Sequence, residues 1–342
     1  MDTRSRQFSV GLDIARVVAC ILVVVVHISA NDFFVFSEKW FSANFFDSLA
    51  RASVPIFFMI TGALLVSRDE GVFPFYKSRV GRVLQPLIFW SVIYAAVYWK
   101  EYPGIFGSIK LLLTAPSYGH LWYFYSLLGI YVLLPFLGKI FRNSTNNERL
   151  MFLGAWFLCN CVWGTLGQFV VPGVDPIKLY SLFSFTGYFG FVFLGAYLFD
   201  RNQNKGGMGW LALNLFLAFV GSAGTCYLTY LVSVRAGHPL QTFYVYQSPL
   251  IVFAACAVFN IALMIRSVPA FIRPIVSAIS ACSLGIYAFH PLVMDVLIRY
   301  FDLNNPDVSG WITIPGLVFL TMAISLVIVW GFRKISVFRR VF

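Results

Sequence analysis

The chain has 342 residues, of which 59% are hydrophobic, 18% aromatic and 11% charged, and its mean hydropathy is +0.79. A soluble domain carries about a quarter charged residues, so this composition leaves little chain for one and puts the long apolar runs in a bilayer. The net charge of +11 comes from Lys and Arg spread over short segments between those runs, which is the pattern of topogenic charge and not of a nucleic-acid surface.

Apolar stretches lie near 11–30, 48–66, 83–99, 120–141, 150–168, 183–199, 209–233, 244–265, 275–298 and 311–332. Each approaches the roughly 20 residues that cross a bilayer as a helix. They predict an all-α membrane protein: a polytopic bundle of about ten transmembrane helices, forming a single integral-membrane domain over 1–342.

The first stretch, "DIARVVACILVVVVHIS", sets Arg16 and His27 among Val, Ala, Cys, Ile and Leu. Arg4 and Arg6 precede it as in a signal peptide, but an ionisable pair inside the run marks an uncleaved first span. At 100° per residue Arg16 and His27 share a helix face and lie roughly 16 Å apart along the axis. Intramembrane charges are costly and face a cavity or the bundle interior. Asp13, one turn before Arg16, is placed to pair with it. A snorkelling Asp–Arg pair plus a core histidine is the plain alternative, and position alone weighs the two equally.

The second stretch places Arg51 in "LARASVPIFFMITGALL", where it either meets an acidic or hydroxylated ligand or pairs with Asp47; the pair is slightly favoured. The third opens with "YKSRVGRVLQP", whose Arg79 and Arg82 share a face. Forked, permanently charged donors suit phosphate or carboxylate, although two arginines here read first as the positive flank of a span. The fourth begins "GHLWYFYSLLGIYVLLPF". Its Trp122, Tyr123 and Tyr125 fit an interfacial aromatic belt, while Trp122 beside His120 also suits a sugar ring. The fifth and seventh are interrupted by Asn160 and by several glycines. The ninth contains "SLGIYAFHPLVMDVL", with His290 five residues before Asp295. That spacing is oblique for a dyad and predicts an interhelical hydrogen bond for His290. Cys20, Cys159, Cys161, Cys226, Cys256 and Cys282 all fall within apolar runs, without a C-x-x-C pair, and read as packing residues.

Alternate inter-span segments differ in basic content. One set holds Arg4 and Arg6; Arg68, Lys77, Arg79 and Arg82; Lys139, Arg142 and Arg149; Arg201 and Lys205; Arg266 and Arg273; and Arg333, Lys334, Arg339 and Arg340. The other holds Lys39, Lys100, Lys110, Lys178, Arg235 and Arg299. The richer set is expected on the cytoplasmic side, with both termini. His27, His120, His238 and His290 then all fall in the outer half, and Arg16 lies at the depth of Arg79 and Arg82. No P-loop, H-E-x-x-H or G-x-S-x-G motif is present, so no metal site is expected. No internal repeat of the transporter kind is apparent.

The Asp-x-x-Arg opening and the Arg–ten residues–His pattern of the first span, followed in order by "VPIFFMITGALL", "SRVGRVLQP", "HLWYFYSLLGIYVLLP" and "SLGIYAFHPLV", resemble the membrane-bound acyltransferase family 3. The absence of an extra extracytoplasmic domain resembles its short branch, which includes the enterobacterial common antigen O-acetyltransferase. The resemblance implies a bacterial inner-membrane O-acyltransferase, an O-acetyltransferase by the family's usual cargo, with acetyl-CoA as donor and a surface glycan or lipid-linked sugar as acceptor. It assigns catalysis to His27 and donor binding to Arg16, Arg79 and Arg82. Arg51, His120, Trp122 and His290 are candidates for the acceptor side. A neutral imidazole at His27 would act as general base or as nucleophile. The rival class is a polysaccharide or small-molecule exporter, which also needs polar residues within the membrane.

Overall fold

In the computed structural model, which describes residues 3–98, 115–170, 187–202, 205–301 and 308–342, all regular structure among the described residues is helical. The α-helices are α1 (Thr3–Phe33), α2 (Trp40–Ala50), α3 (Ser53–Leu65), α4 (Val72–Val97), α5 (Trp122–Asn143) and α6 (Asn146–Trp156). They continue as α7 (Gly164–Val170), α8 (Phe189–Asn202), α9 (Met208–Ala236), α10 (Pro249–Met264), α11 (Arg273–Phe301) and α12 (Gly310–Phe332). Among the described residues, nine helical stretches are long and apolar enough to cross a membrane. The expected span at 183–199 lies partly outside the described residues, and its remainder forms the start of α8. The protein is thus a polytopic helical membrane bundle.

Local chemistry sets several boundaries. Thr145 and Glu148 form a reciprocal capping box that starts α6, and Gly237, at φ 73°, provides the left-handed residue that ends α9. Between α6 and α7 the run Phe157–Trp163 is π-helical around buried Asn160, which explains why this span reads as interrupted. The second span begins well before position 48, because α2 carries buried Asn44, Asp47 and Ser48. Their polarity resembles a loop, yet it is satisfied within the bundle: the Tyr244 hydroxyl donates to Asn44 Oδ1 at 2.6 Å, and Asn44 Nδ2 donates to the Cys226 carbonyl at 3.0 Å. Likewise α4 starts at Val72, so Lys77, Arg79 and Arg82 ride on helix and not on a flanking loop.

Small residues let the helices close on one another. A Cβ at Gly62 of α3 would stand 1.8 Å from the Val192 carbonyl oxygen of α8, and one at Gly195 of α8 would stand 2.1 Å from the Met59 carbonyl oxygen of α3. Backbones meet directly at this crossing, as small-residue packing in membranes allows. Helix α1 is the hub, packing on α2, α3, α10, α11 and α12.

The pairing of α1 with α11 positions the site. Ser280 donates to Asp13 at 2.6 Å and accepts from Arg16 Nη1 at 2.8 Å, and further along Asn31 Nδ2 lies 3.9 Å from Met294 Sδ. The sequence separations of these pairs, 267, 264 and 263, stay nearly constant. Two helices in contact at constant separation run parallel. Residue 27 of α1 is therefore level with residue 290 of α11.

Candidate active site

A cavity of about 260 Å³ opens between α1, α3, α4, α5 and α11. Arg16 of α1 and Arg79 and Arg82 of α4 all line it, so two helices bring the predicted donor-binding arginines together. Arg16 bonds Asp13 at 3.1 Å, the pair expected from their spacing, and also reaches Ser280. Arg79 pairs with Glu70 at 3.1 Å. Arg82 has no ion-pair partner among the described residues and is exposed. The rest of the lining is aliphatic, aromatic or hydroxylic: it includes Phe57, Ile60, Thr61, Leu127 and Ser283, and reaches Tyr123 and Tyr287. Among the described residues, the arginines are thus the charged groups on a wall that is otherwise neutral.

Above Tyr287 lies a second assembly. The rings of His27, His120 and His290 form a triangle, with centroids 5.0 Å apart for His27–His290, 5.7 Å for His120–His290 and 6.1 Å for His27–His120. His120 and His290 are fully enclosed, at 2% and 0% exposure, and His27 is partly buried. His120 Nε2 lies 3.2 Å from the Ala288 carbonyl, and His290 Nδ1 lies 3.1 Å from the Ile286 carbonyl. A carbonyl can only accept, so each of these nitrogens carries its proton toward the backbone. The neutral rings then keep a lone pair on His120 Nδ1 and on His290 Nε2, and both atoms are buried without a hydrogen-bond partner. The interhelical hydrogen bond expected for His290 is not formed; its bond is to the preceding turn of α11. Asp295 is also turned to other work, accepting from the hydroxyls of Tyr98 and Tyr118. His238 stands apart, exposed in the segment after α9. Among the described residues, no group of three His, Cys, Asp or Glu side chains is disposed to hold a metal ion.

Tyr287 joins the two assemblies. It lines the cavity, its ring lies 5.5 Å from that of His120 and 6.1 Å from that of His290, and its hydroxyl donates to the His120 carbonyl. It sits one helical turn before His290, a rise of about 4.5 Å, so the cavity ends about one turn short of the triangle. Sequence alone assigns Tyr287 no role; its three-residue spacing from His290 in "SLGIYAFHPLV" is the signal that places it on the same face.

Arg51 and Asp47 form the expected ion pair at 2.5 Å, buried where α2 gives way to α3. The Arg51 guanidinium also lies 4.2 Å from the Tyr244 ring and 5.9 Å from the Tyr246 ring. Asp47 Oδ1 and Arg51 Nε have no hydrogen-bond partner. Trp122 stacks on Tyr246 at 5.9 Å and lies 5.4 Å from Tyr188. Arg51 and Trp122 are therefore linked through Tyr246 into one aromatic wall.

Comparison with known families matches residues 9–330 to the acyltransferase domain of acyltransferase family 3. The chain belongs to that family. No curated protein and no solved structure matches it. Membership covers all the helices that build the cavity and the histidine triangle, and it makes the protein a membrane acyltransferase, which sets the exporter reading aside. In this acyltransferase the elements shared with the family are the ones that place Arg16, Arg79 and Arg82 at one end of a cavity and three imidazoles beyond its other end.

Proposed function

We propose that this acyltransferase moves an acyl group, acetyl by preference, from cytoplasmic acyl-CoA to a hydroxyl of an extracytoplasmic or lipid-linked glycan, in the inner membrane of a bacterium. The observation that carries the reading is the cavity itself: an arginine mouth, a neutral bore and an end one turn from His27 and its partners. Arginine forks suit the donor's phosphates. The neutral bore suits its uncharged pantetheine arm.

His27 is the residue assigned to catalysis. In direct transfer its imidazole takes the acceptor hydroxyl proton as the oxygen attacks the thioester carbonyl. The carbon–sulfur bond breaks, and the thiolate leaves and recovers the proton. In the covalent variant the imidazole nitrogen attacks the thioester carbonyl first and the carbon–sulfur bond breaks to release the thiolate; the acceptor hydroxyl then attacks the acyl-imidazole, the carbon–nitrogen bond breaks, and the hydroxyl proton returns to the freed imidazole. His120 and His290, each with an unpartnered nitrogen, supply acceptor sites beside it. Arg51 and Trp122 belong to the wall on the acceptor side, where an aromatic face and a cation suit a sugar ring. The finer resemblance to the enterobacterial common antigen O-acetyltransferase points to the same class of acceptor.

The test is reconstitution of the full chain in proteoliposomes with acetyl-labelled acetyl-CoA and isolated envelope glycan. The expected result is label on the glycan as a hydroxylamine-labile ester. Hydrolysis or retention of acetyl-CoA without any glycan ester would contradict the reading.

A further inference from the structure

Arg82 faces two cavities. Besides the bore described above, it lines a cleft of about 810 Å³ together with Lys77, Arg333, Arg339 and Arg340, and Leu284 is also common to both. Among the described residues, no Asp or Glu lines this cleft. Lys77 and Arg82 come from α4; the other three come from the segment that follows α12. Where arginines elsewhere in the bundle have carboxylate partners, as Arg79, Arg142 and Arg149 do at 3.0–3.1 Å, Lys77, Arg82, Arg339 and Arg340 have none among the described residues and are exposed.

The segment carrying Arg339 and Arg340 is fastened in place. Trp90 Nε1 of α4 donates to the Val341 carbonyl at 2.9 Å, and Arg333 Nη1 donates to the Phe342 carbonyl at 2.9 Å. The Phe342 ring packs 5.0 Å from Trp90 and 4.9 Å from Phe332. Gly285 of α11 makes room for it, since a Cβ there would stand 2.7 Å from the Phe342 carbonyl oxygen. The cations are therefore held toward one another against their mutual repulsion, an arrangement that a ligand of several negative charges relieves. Guanidinium forks match phosphate oxygens.

We propose that this cleft binds the phosphorylated nucleotide end of the acyl donor, with Lys77, Arg339 and Arg340 on its phosphates and Arg82 at the elbow where the slim arm turns into the bore. The proposal rests on acyl-CoA being the donor. Anionic lipid headgroups offer the same phosphate chemistry, and the experiment separates the two sources.

The full chain in phosphatidylcholine nanodiscs is titrated with coenzyme A and with dephospho-coenzyme A. Wild type is expected to favour coenzyme A by on the order of tenfold, the worth of a charge-assisted hydrogen-bonded phosphate. Arg339→Ala/Arg340→Ala, and independently Lys77→Ala on α4, should weaken coenzyme A binding by about tenfold or more and bring the two ligands toward equal affinity. Arg339→Lys/Arg340→Lys should recover part of the loss, which a folding defect would not. Unchanged coenzyme A affinity in both alanine variants overturns the proposal. So does an effect of those variants confined to retention of phosphatidylglycerol, which would assign the cleft to lipid. A wild type that binds no coenzyme A removes the donor reading and this proposal together, whereas wild-type binding insensitive to the variants removes this proposal alone.

Discussion

Arg79 and Arg82 are three residues apart on one helix and line one cavity, yet their surroundings differ. Arg79 shares its charge with Glu70, while Arg82 has no carboxylate partner among the described residues. Arg82→Ala should therefore weaken acyl-CoA binding by about tenfold, and Arg79→Ala by less, when affinity is measured by calorimetry on purified protein. Equal, unchanged affinity in both would remove them from the donor site. Asp47 and Arg51 carry a different expectation. Both are buried and each compensates the other. Arg51→Leu leaves a carboxylate without its partner and should cost about 3–5 kcal/mol of stability, whereas Asp47→Leu/Arg51→Leu should lie closer to wild type. Thermal unfolding in detergent reads the difference, and a single variant as stable as wild type would show the pair to be dispensable. Tyr287 divides the bore from the histidines, so Tyr287→Ala should lower kcat by about tenfold or more through misplacement of the thioester, with a smaller change in KM for acyl-CoA. A change confined to KM would make Tyr287 part of the donor-binding wall alone.

Among the elements, α3 and α8 cross with their backbones in direct contact at Gly62 and Gly195. Gly62→Ala would drive a methyl group into the Val192 backbone, and overpacking of this kind costs about 1–3 kcal/mol; a melting temperature no lower than wild type would contradict the crossing. Much of the element pattern was legible in advance, because a bilayer demands long apolar runs and these stand out between Lys- and Arg-bearing segments. The first span and its two polar residues were legible for the same reason: an arginine and a histidine in such a run require an interior partner or a cavity. Less legible was α2, whose Asn44, Asp47 and Ser48 look like a loop until Tyr244 and Cys226 satisfy them across the bundle. Helix periodicity placed Arg16 with His27, and Arg79 with Arg82. It held no information on the parallel register of α1 and α11, which sets His27 beside His290. The convergence of His120 on that pair depends on contacts between residues far apart in sequence, as does the role of Tyr287.

At the scale of the whole molecule, the acyltransferase has a cationic end and an imidazole-bearing region, and the bore runs from the first to within about one turn of the second. Positive residues are retained on the cytoplasmic side, so the donor is expected to enter from there. Acetyl-CoA supplied only to the face bearing Arg79, Arg82 and Arg339 should support transfer, and supply to the opposite face alone should not; transfer from either face in sealed vesicles of defined orientation would contradict that polarity. The central claim is that His27 performs the chemistry at the far end of the bore while the arginines hold the donor. Its most direct measurement pairs glycan ester formation with coenzyme A affinity in purified His27→Ala. Ester formation reduced by at least about a hundredfold, the lower range of general acid–base contributions, with coenzyme A affinity near that of wild type, is the predicted result. Ester formation at the wild-type rate would contradict it.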